Sequence, residues 1–190
     1  MQFSSATRKV YALVLNESAY DGSTIDPDAP YKTAIIETGF TYKQPTIVFS
    51  CDECYTTQWI VHPSLPKLYV SLPDPLKNGD EFRSAKLVEV TLSPTVRTRV
   101  IGRIPSNSSL RITPDGSTLY VFGRATHSNQ PYGALVSINL SNRKRTQTVV
   151  NFPSYNAFDL PVSPMTADVS PDTLEMAYHM ATIDVRTGKT

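Results

Sequence analysis

With 190 residues, 40% of them hydrophobic and 18% charged, and a formal net charge of +1, the chain reads as globular and long enough to bury one sizeable core. So even a balance gives no electrostatic footprint for nucleic acid or an anionic membrane surface, and neither is expected as a partner. Fifteen prolines against eight glycines suit many strands joined by ordered loops, and no run is long enough to span a membrane.

In chain order, strands are expected at 9–15, 32–38 and 46–50, then at 57–62, 67–72, 85–91 and 96–101. Further strands are expected at 108–113, 118–123, 133–139 and 145–150, and a last group at 165–170, 174–179 and 182–185. The warrant is local. Leu68-Tyr69-Val70, Leu119-Tyr120-Val121-Phe122 and Leu135-Val136-Ser137-Ile138 are short runs of branched and aromatic residues bounded by Pro, Gly, Asn and Ser, which is how strands read. Apolar spacing at i, i+3, i+4, i+7 between capping signals is missing, so no helix is expected.

These segments repeat. HPSLPKLYV at 62–70 returns as TPDGSTLYV at 113–121 and as SPDTLEMAY at 170–178, with Leu68, Leu119 and Met176 in one slot at spacings of 51 and 57 residues. SAKLVEVTL at 84–92 likewise overlies YGALVSINL at 132–140. Four strands per period of about 50 residues describe the blade of a β-propeller, a unit that buries its apolar faces by stacking on its neighbours.

ITPDGSTLYVFGR, followed by GALVSINLSNRKRTQTV, resembles the YVTN-type β-propeller repeat family, and VHPSLPKLYV, DVSPD and IDVRTGK echo it further. The likeness covers about two thirds of the chain. Its most specific piece is Pro114-Asp115-Gly116, because Asp-Gly between alternating strands marks a hairpin through the positive φ that Gly tolerates. The second repeat has Ser64-Leu65 where the family has Asp-Gly, and the fourth has Asp172-Thr173. The resemblance implies an all-β chain of about three to four blades over 1–190, divided near 1–50, 51–102, 103–151 and 152–190. It implies no single activity, and a compartment that is often extracytoplasmic.

On this count the first blade begins inside and the fourth lacks an outer strand. The expectation is an arc, incomplete as a ring, whose open sheet edges invite self-association or completion by a partner. Only five residues separate Tyr178 from Ile183, against 17 between Val121 and Ile138. The hairpin at His179-Met180 is therefore either naturally tight or the sign of a trimmed sequence. Val10 to Leu15 beside Arg8 and Lys9 is too short and interrupted for a signal peptide. Sequons at Asn16, Asn107 and Asn139 occur at about the frequency chance gives a Ser-rich chain.

Chemistry is sparsely signalled. Cys51 and Cys54 form a CxxC, but structural zinc wants four ligands and only His62 adds a third. A redox pair wants a helix N-terminus, and Asp52 and Glu53 raise thiol pKa values. Ordinary loop cysteines are the favoured reading, ahead of a local disulfide and then a metal or redox site. His62, His127 and His179 are scattered singly and read as surface or packing residues. Asp26 and Asp28 sit between prolines, where turn formation explains them better than calcium does. Arg143-Lys144-Arg145 reads as a solvated turn. With no GxSxG, Walker loop, GxGxxG or HExxH, no catalytic, cofactor or metal residue is assigned.

Tyr69 and Tyr120 share a repeat slot and are expected to pack between blades. Tyr20, Tyr31, Tyr132 and Tyr155 fall in expected loops and are the better binding candidates. Ile60, Arg111 and Asp168 occupy one slot of successive inner strands, so Arg111 and Asp168 are expected to pair across a blade boundary. Two functional classes follow. A non-catalytic binding or scaffolding propeller, for a protein or small-molecule ligand and without a cofactor, is favoured over part of a lactonase-like or other hydrolase propeller.

Overall fold

The branched and aromatic runs of the sequence are strands, and each passes its chain to the next through a reversal that keeps neighbours antiparallel. A computed structural model of the protein describes residues 1–15, 33–38, 45–51, 58–73, 85–127, 130–150, 167–169, 174–178 and 181–184. Among them there are strands and no helix. The first sheet is β1 (Gln2–Ser4), β2 (Lys9–Leu15), β3 (Thr33–Thr38) and β4 (Thr46–Cys51), side by side in that order. The second is β5 (Trp59–Val61), β6 (Lys67–Pro73), β7 (Ala85–Thr91) and β8 (Arg97–Ile104). The third is β9 (Ser106–Ile112), β10 (Thr118–His127), β11 (Gln130–Asn139) and β12 (Arg145–Val150). A three-stranded sheet of β13 (Ala167–Val169), β14 (Leu174–Tyr178) and β15 (Ala181–Asp184) follows.

The second sheet is apolar at both parities, so it must be covered on both faces. Leu68 and Val70 of β6, Val88 and Val90 of β7, and Trp59 and Val61 of β5 join Tyr11, Ile35, Val48 and Phe49 of the first sheet in one core. Tyr69, Ala85 and Leu87, from the alternate positions, join Leu110, Leu119, Val121, Val136 and Ile138 of the third sheet in the other. Adjacent Val48 and Phe49 both enter the first core because the β3–β4 ladder slips at Ile35/Ile36. An extra residue of this kind turns consecutive side chains towards one face.

Three sequence expectations are corrected here. The first sheet does not begin inside: Gln2–Ser4 pairs with β2, from Gln2 against Tyr11 to Ser4 against Lys9. A strand of three residues carries too little periodicity to read. Second, the loop expected between Gly123 and Gly133 is mostly strand. β10 and β11 pair continuously to His127 against Gln130, so Tyr132 lies in a strand and His127 at a strand end. Third, Val61 faces Leu68 and Ile112 faces Leu119, but in the last sheet Val169 faces Leu174. The shared slot therefore belongs to Leu174 and not to Met176. A two-residue slip leaves the same side chains on the same face. Tyr178 pairs with Ala181; His179 and Met180 between them, where a tight or trimmed hairpin is expected from sequence, lie outside the described residues.

Leu119 is fully buried in the second core, whereas Ile47 on β4 is 62% exposed. Leu119→Ala should lower the unfolding free energy by about 2–5 kcal/mol, and Ile47→Ala by no more than about 0.5 kcal/mol. Urea titrations of the two variants, read at constant m-value, check this.

Candidate functional site

The hairpin turns of the second and third sheets meet at a polar seam. In both, a six-residue connection is closed by a backbone bond, His62 N–H to the Lys67 carbonyl at 2.9 Å and Thr113 N–H to the Thr118 carbonyl at 2.9 Å. His62 and Thr113 share the repeat slot, and each also caps its own turn with its side chain. The Thr113 hydroxyl donates to Asp115 Oδ1 (2.5 Å) and accepts the Thr118 N–H (3.0 Å). Asp115 also accepts the Ser117 N–H at 3.0 Å. The Thr113 hydroxyl, followed by these amide contacts, holds the Asp115 carboxyl below the usual carboxylate range.

His62 does the same work with a ring. Its Nδ1 accepts the N–H groups of Ser64 (3.1 Å) and Leu65 (2.9 Å). The proton is thereby left on Nε2, which donates to the Gly116 carbonyl of the neighbouring sheet at 3.1 Å. The ring is 2% exposed, and burial holds its pKa below the ordinary value although the Gly116 carbonyl opposes this. Gly116 is at φ +73°, and a Cβ built there would stand 2.2 Å from His62 Cε1. Glycine is thus required twice, for the turn and for the ring.

Deeper in the seam lies Glu89, buried on β7. Lys67 Nζ approaches it at 3.1 Å, Arg143 of the β11–β12 turn at 3.8 Å, and the Tyr69 hydroxyl donates to it at 3.4 Å. Burial, then the Glu89 charge, drives the Tyr69 pKa well up, so Tyr69 stays a neutral donor. The Tyr69 ring also lies 6.5 Å from that of His62. Arg143 adopts a left-handed φ of 60°, and Arg145 donates to the Arg103 carbonyl and packs over Gly102. The basic tripeptide is therefore not a merely solvated turn, because two of its three members reach the second sheet.

The seam between the first and second sheets is built from backbone groups. The Gln2 amide donates to the Trp59 carbonyl (2.9 Å) and accepts the Val61 N–H (2.8 Å), and Ser5 donates to the Pro63 carbonyl. One side chain thus satisfies a carbonyl and an N–H on the edge of β5 that faces away from β6.

Of the residues singled out from sequence, Cys51 ends β4 and is disulfide-bonded. The chain has one other cysteine, Cys54, so ordinary loop cysteines give way to a local disulfide. Tyr69 is buried between sheets and Tyr120 is half-buried at the equivalent register position. Arg111 and Asp168 occupy equivalent positions, against Tyr120 and Glu175, and β9 lies beside β13. Arg111, half-buried, donates to the Leu110 carbonyl at 2.8 Å. The Asp168 side chain lies outside the described residues, as do Tyr20, Asp26, Asp28, Tyr31, Cys54, Tyr155 and His179. Glu89 went unread, although a lone carboxylate in Leu87-Val88-Glu89-Val90, opposite Ser137 in the aligned repeat, was its signal.

Chemically the seam is occupied by structural bonds. The Nδ1 lone pair of His62 is taken by two amides, and Glu89 is shared among two cations and a phenol. Comparison with protein-family models, with curated proteins and with solved structures returned no match.

Gly116→Ala should destabilise by roughly 2–4 kcal/mol, from left-handed strain and overpacking together, and Gly102→Ala by less because it meets only the end of Arg145. Chemical denaturation of the pair distinguishes them. His62 is also a source of pH dependence. Its folded pKa lies below the unfolded value of about 6.5, so the unfolded chain binds the proton first. Its contribution is complete above that value and is lost as pH falls towards the folded pKa. Lys67 resists protonation, while Glu89 and Asp115 favour it. Between pH 7.5 and 5 the wild type should lose more stability than His62→Gln, read as the difference between their urea midpoints.

Proposed function

We propose that the protein is a non-catalytic binding or scaffolding module built from β-propeller blades of the YVTN type, with a protein as its ligand. The observation that carries this reading is the neighbourhood of the first strands. β1 lies beside β5, β5 beside β9, and β9 beside β13, each opening an up-and-down antiparallel sheet. Sheets whose first strands follow one another in chain order, with a middle sheet buried on both faces, fit radial repetition about an axis. A sandwich would bury one face of each sheet.

The seam chemistry fits a scaffold. His62, Gly116, Glu89 and Gln2 hold one sheet to the next, which leaves connecting segments to carry recognition on a rigid frame. A crystal structure with the four sheets radially disposed and β1, β5, β9 and β13 innermost is the expected result, and flat stacking of sheets in pairs would overturn it. For activity, ligands retained on peptide or glycan arrays should be recovered chemically unchanged. Hydrolysis of lactones or esters above the uncatalysed rate, abolished by a point substitution, would replace the binding reading with a hydrolase.

A further inference from the structure

The second sheet ends on β8, whose ladder partner is β7 alone among the described residues. Residues 97–100 are exposed in succession, Val100 to 56%. Further along, the Arg103 carbonyl is occupied by Arg145, so 97–101 is the open stretch, a length sufficient for a strand. Arg97 faces Thr91 and Arg99 faces Glu89 in the ladder, so both project to the face that carries Glu89. Among the described residues, neither arginine takes part in an ion pair. Arg143 and Arg145 reach the same face, joined to it through Glu89 and Arg103. Four exposed cations, Arg97, Arg99, Arg143 and Arg145, therefore lie on or beside the face that carries one mostly buried carboxylate, in a chain of net charge +1. The outer strand β4 of the first sheet, TIVFSC, carries no charge at all.

We propose that the edge of β8 at 97–101 receives an extended acidic segment of a partner protein, which adds to the second sheet as a further strand with alternate carboxylates on Arg97 and Arg99. The backbone of an edge strand supplies the hydrogen bonds of such an addition, and its side chains supply the specificity. Side chains two apart on a strand are about 7 Å apart on one face, the spacing of acidic residues at alternate positions of an added strand. The intervening residues of the segment meet Thr98 and Val100 on the other face and are small or apolar. A second copy of β8 is disfavoured because it would set arginine against arginine, so the charges that block self-pairing also select the partner. The assignment rests on the binding-module reading and deepens it.

The test uses the full chain and a fluorescent peptide alternating Glu with Val. Saturable binding is expected, weakened by at least about tenfold in the exposed double variant Arg97→Glu/Arg99→Glu and reduced by added salt. The same peptide with alternate backbone N-methyl groups keeps its charge but cannot join a ladder, and it should fail to bind the wild type. Undiminished binding of the N-methylated peptide, equal binding of a peptide with its glutamates in one block or of an oligonucleotide, or indifference to the double substitution would each overturn strand addition. So would failure of the alternating peptide to bind. Array ligands retained while this peptide is not would sink this assignment alone, whereas ester or lactone turnover with peptide binding intact would sink the non-catalytic reading alone.

Discussion

Everything in this molecule depends on the second sheet being apolar on both sides. Leu68 and Val70 turn one way, Tyr69 the other, and Val88 and Val90 oppose Leu87 and Ala85 in the same alternation. Each fully buried aliphatic side chain contributes about 1.5–3 kcal/mol relative to exposure, so neither face can be left in water. The sheet before it and the sheet after it in the chain cover the two faces. The order of packing is thus dictated by a parity that three residues of β6 already display.

Apolar cover alone would let sheets slide, since the hydrophobic effect has no direction. Polar contacts across the seams supply it. The Gln2 amide fits one acceptor and one donor of β5, and His62 fits two amides of its own turn and one carbonyl of the next. These bonds have strict geometry and leave buried groups unsatisfied if displaced. His62 thus fixes a turn and a neighbour with one ring, which is why a glycine must stand beneath it. Glu89 plays a related part deeper in the seam, where Lys67 from its own sheet and Arg143 from the next share its charge.

The same seam organises the surface. Because Arg143 and Arg145 lean onto the second sheet, the basic turn of the third sheet and the arginines of β8 form one patch rather than two dispersed ones. Near-neutral net charge conceals that arrangement, since the sum over a chain says nothing about how charges are distributed in space. Binding proposals for this protein therefore turn on placement and not on composition.

The strand inventory was largely legible, because β-branched alternation between turn residues is a local signal. Lys9–Leu15, Ala85–Thr91 and Arg145–Val150 lie at their expected residues, and Asp115-Gly116 forms the turn its φ tolerance invited. The repeat slots of Leu68 and Leu119 are matched by backbone register. The sequence did not disclose β1, too short for a period, or the reach of β10 and β11 past Gly123, where pairing continues because the partner strand is there to receive it. It disclosed a histidine but not its partner, since His62 and Gly116 are brought together by packing across 54 residues. It disclosed an odd carboxylate in an apolar strand but not the arginine that meets it. Local propensity and period determined which residues became strands and which faces were apolar. Tertiary structure alone decided which faces met, because contacts between turns of different sheets leave no periodic trace in either segment.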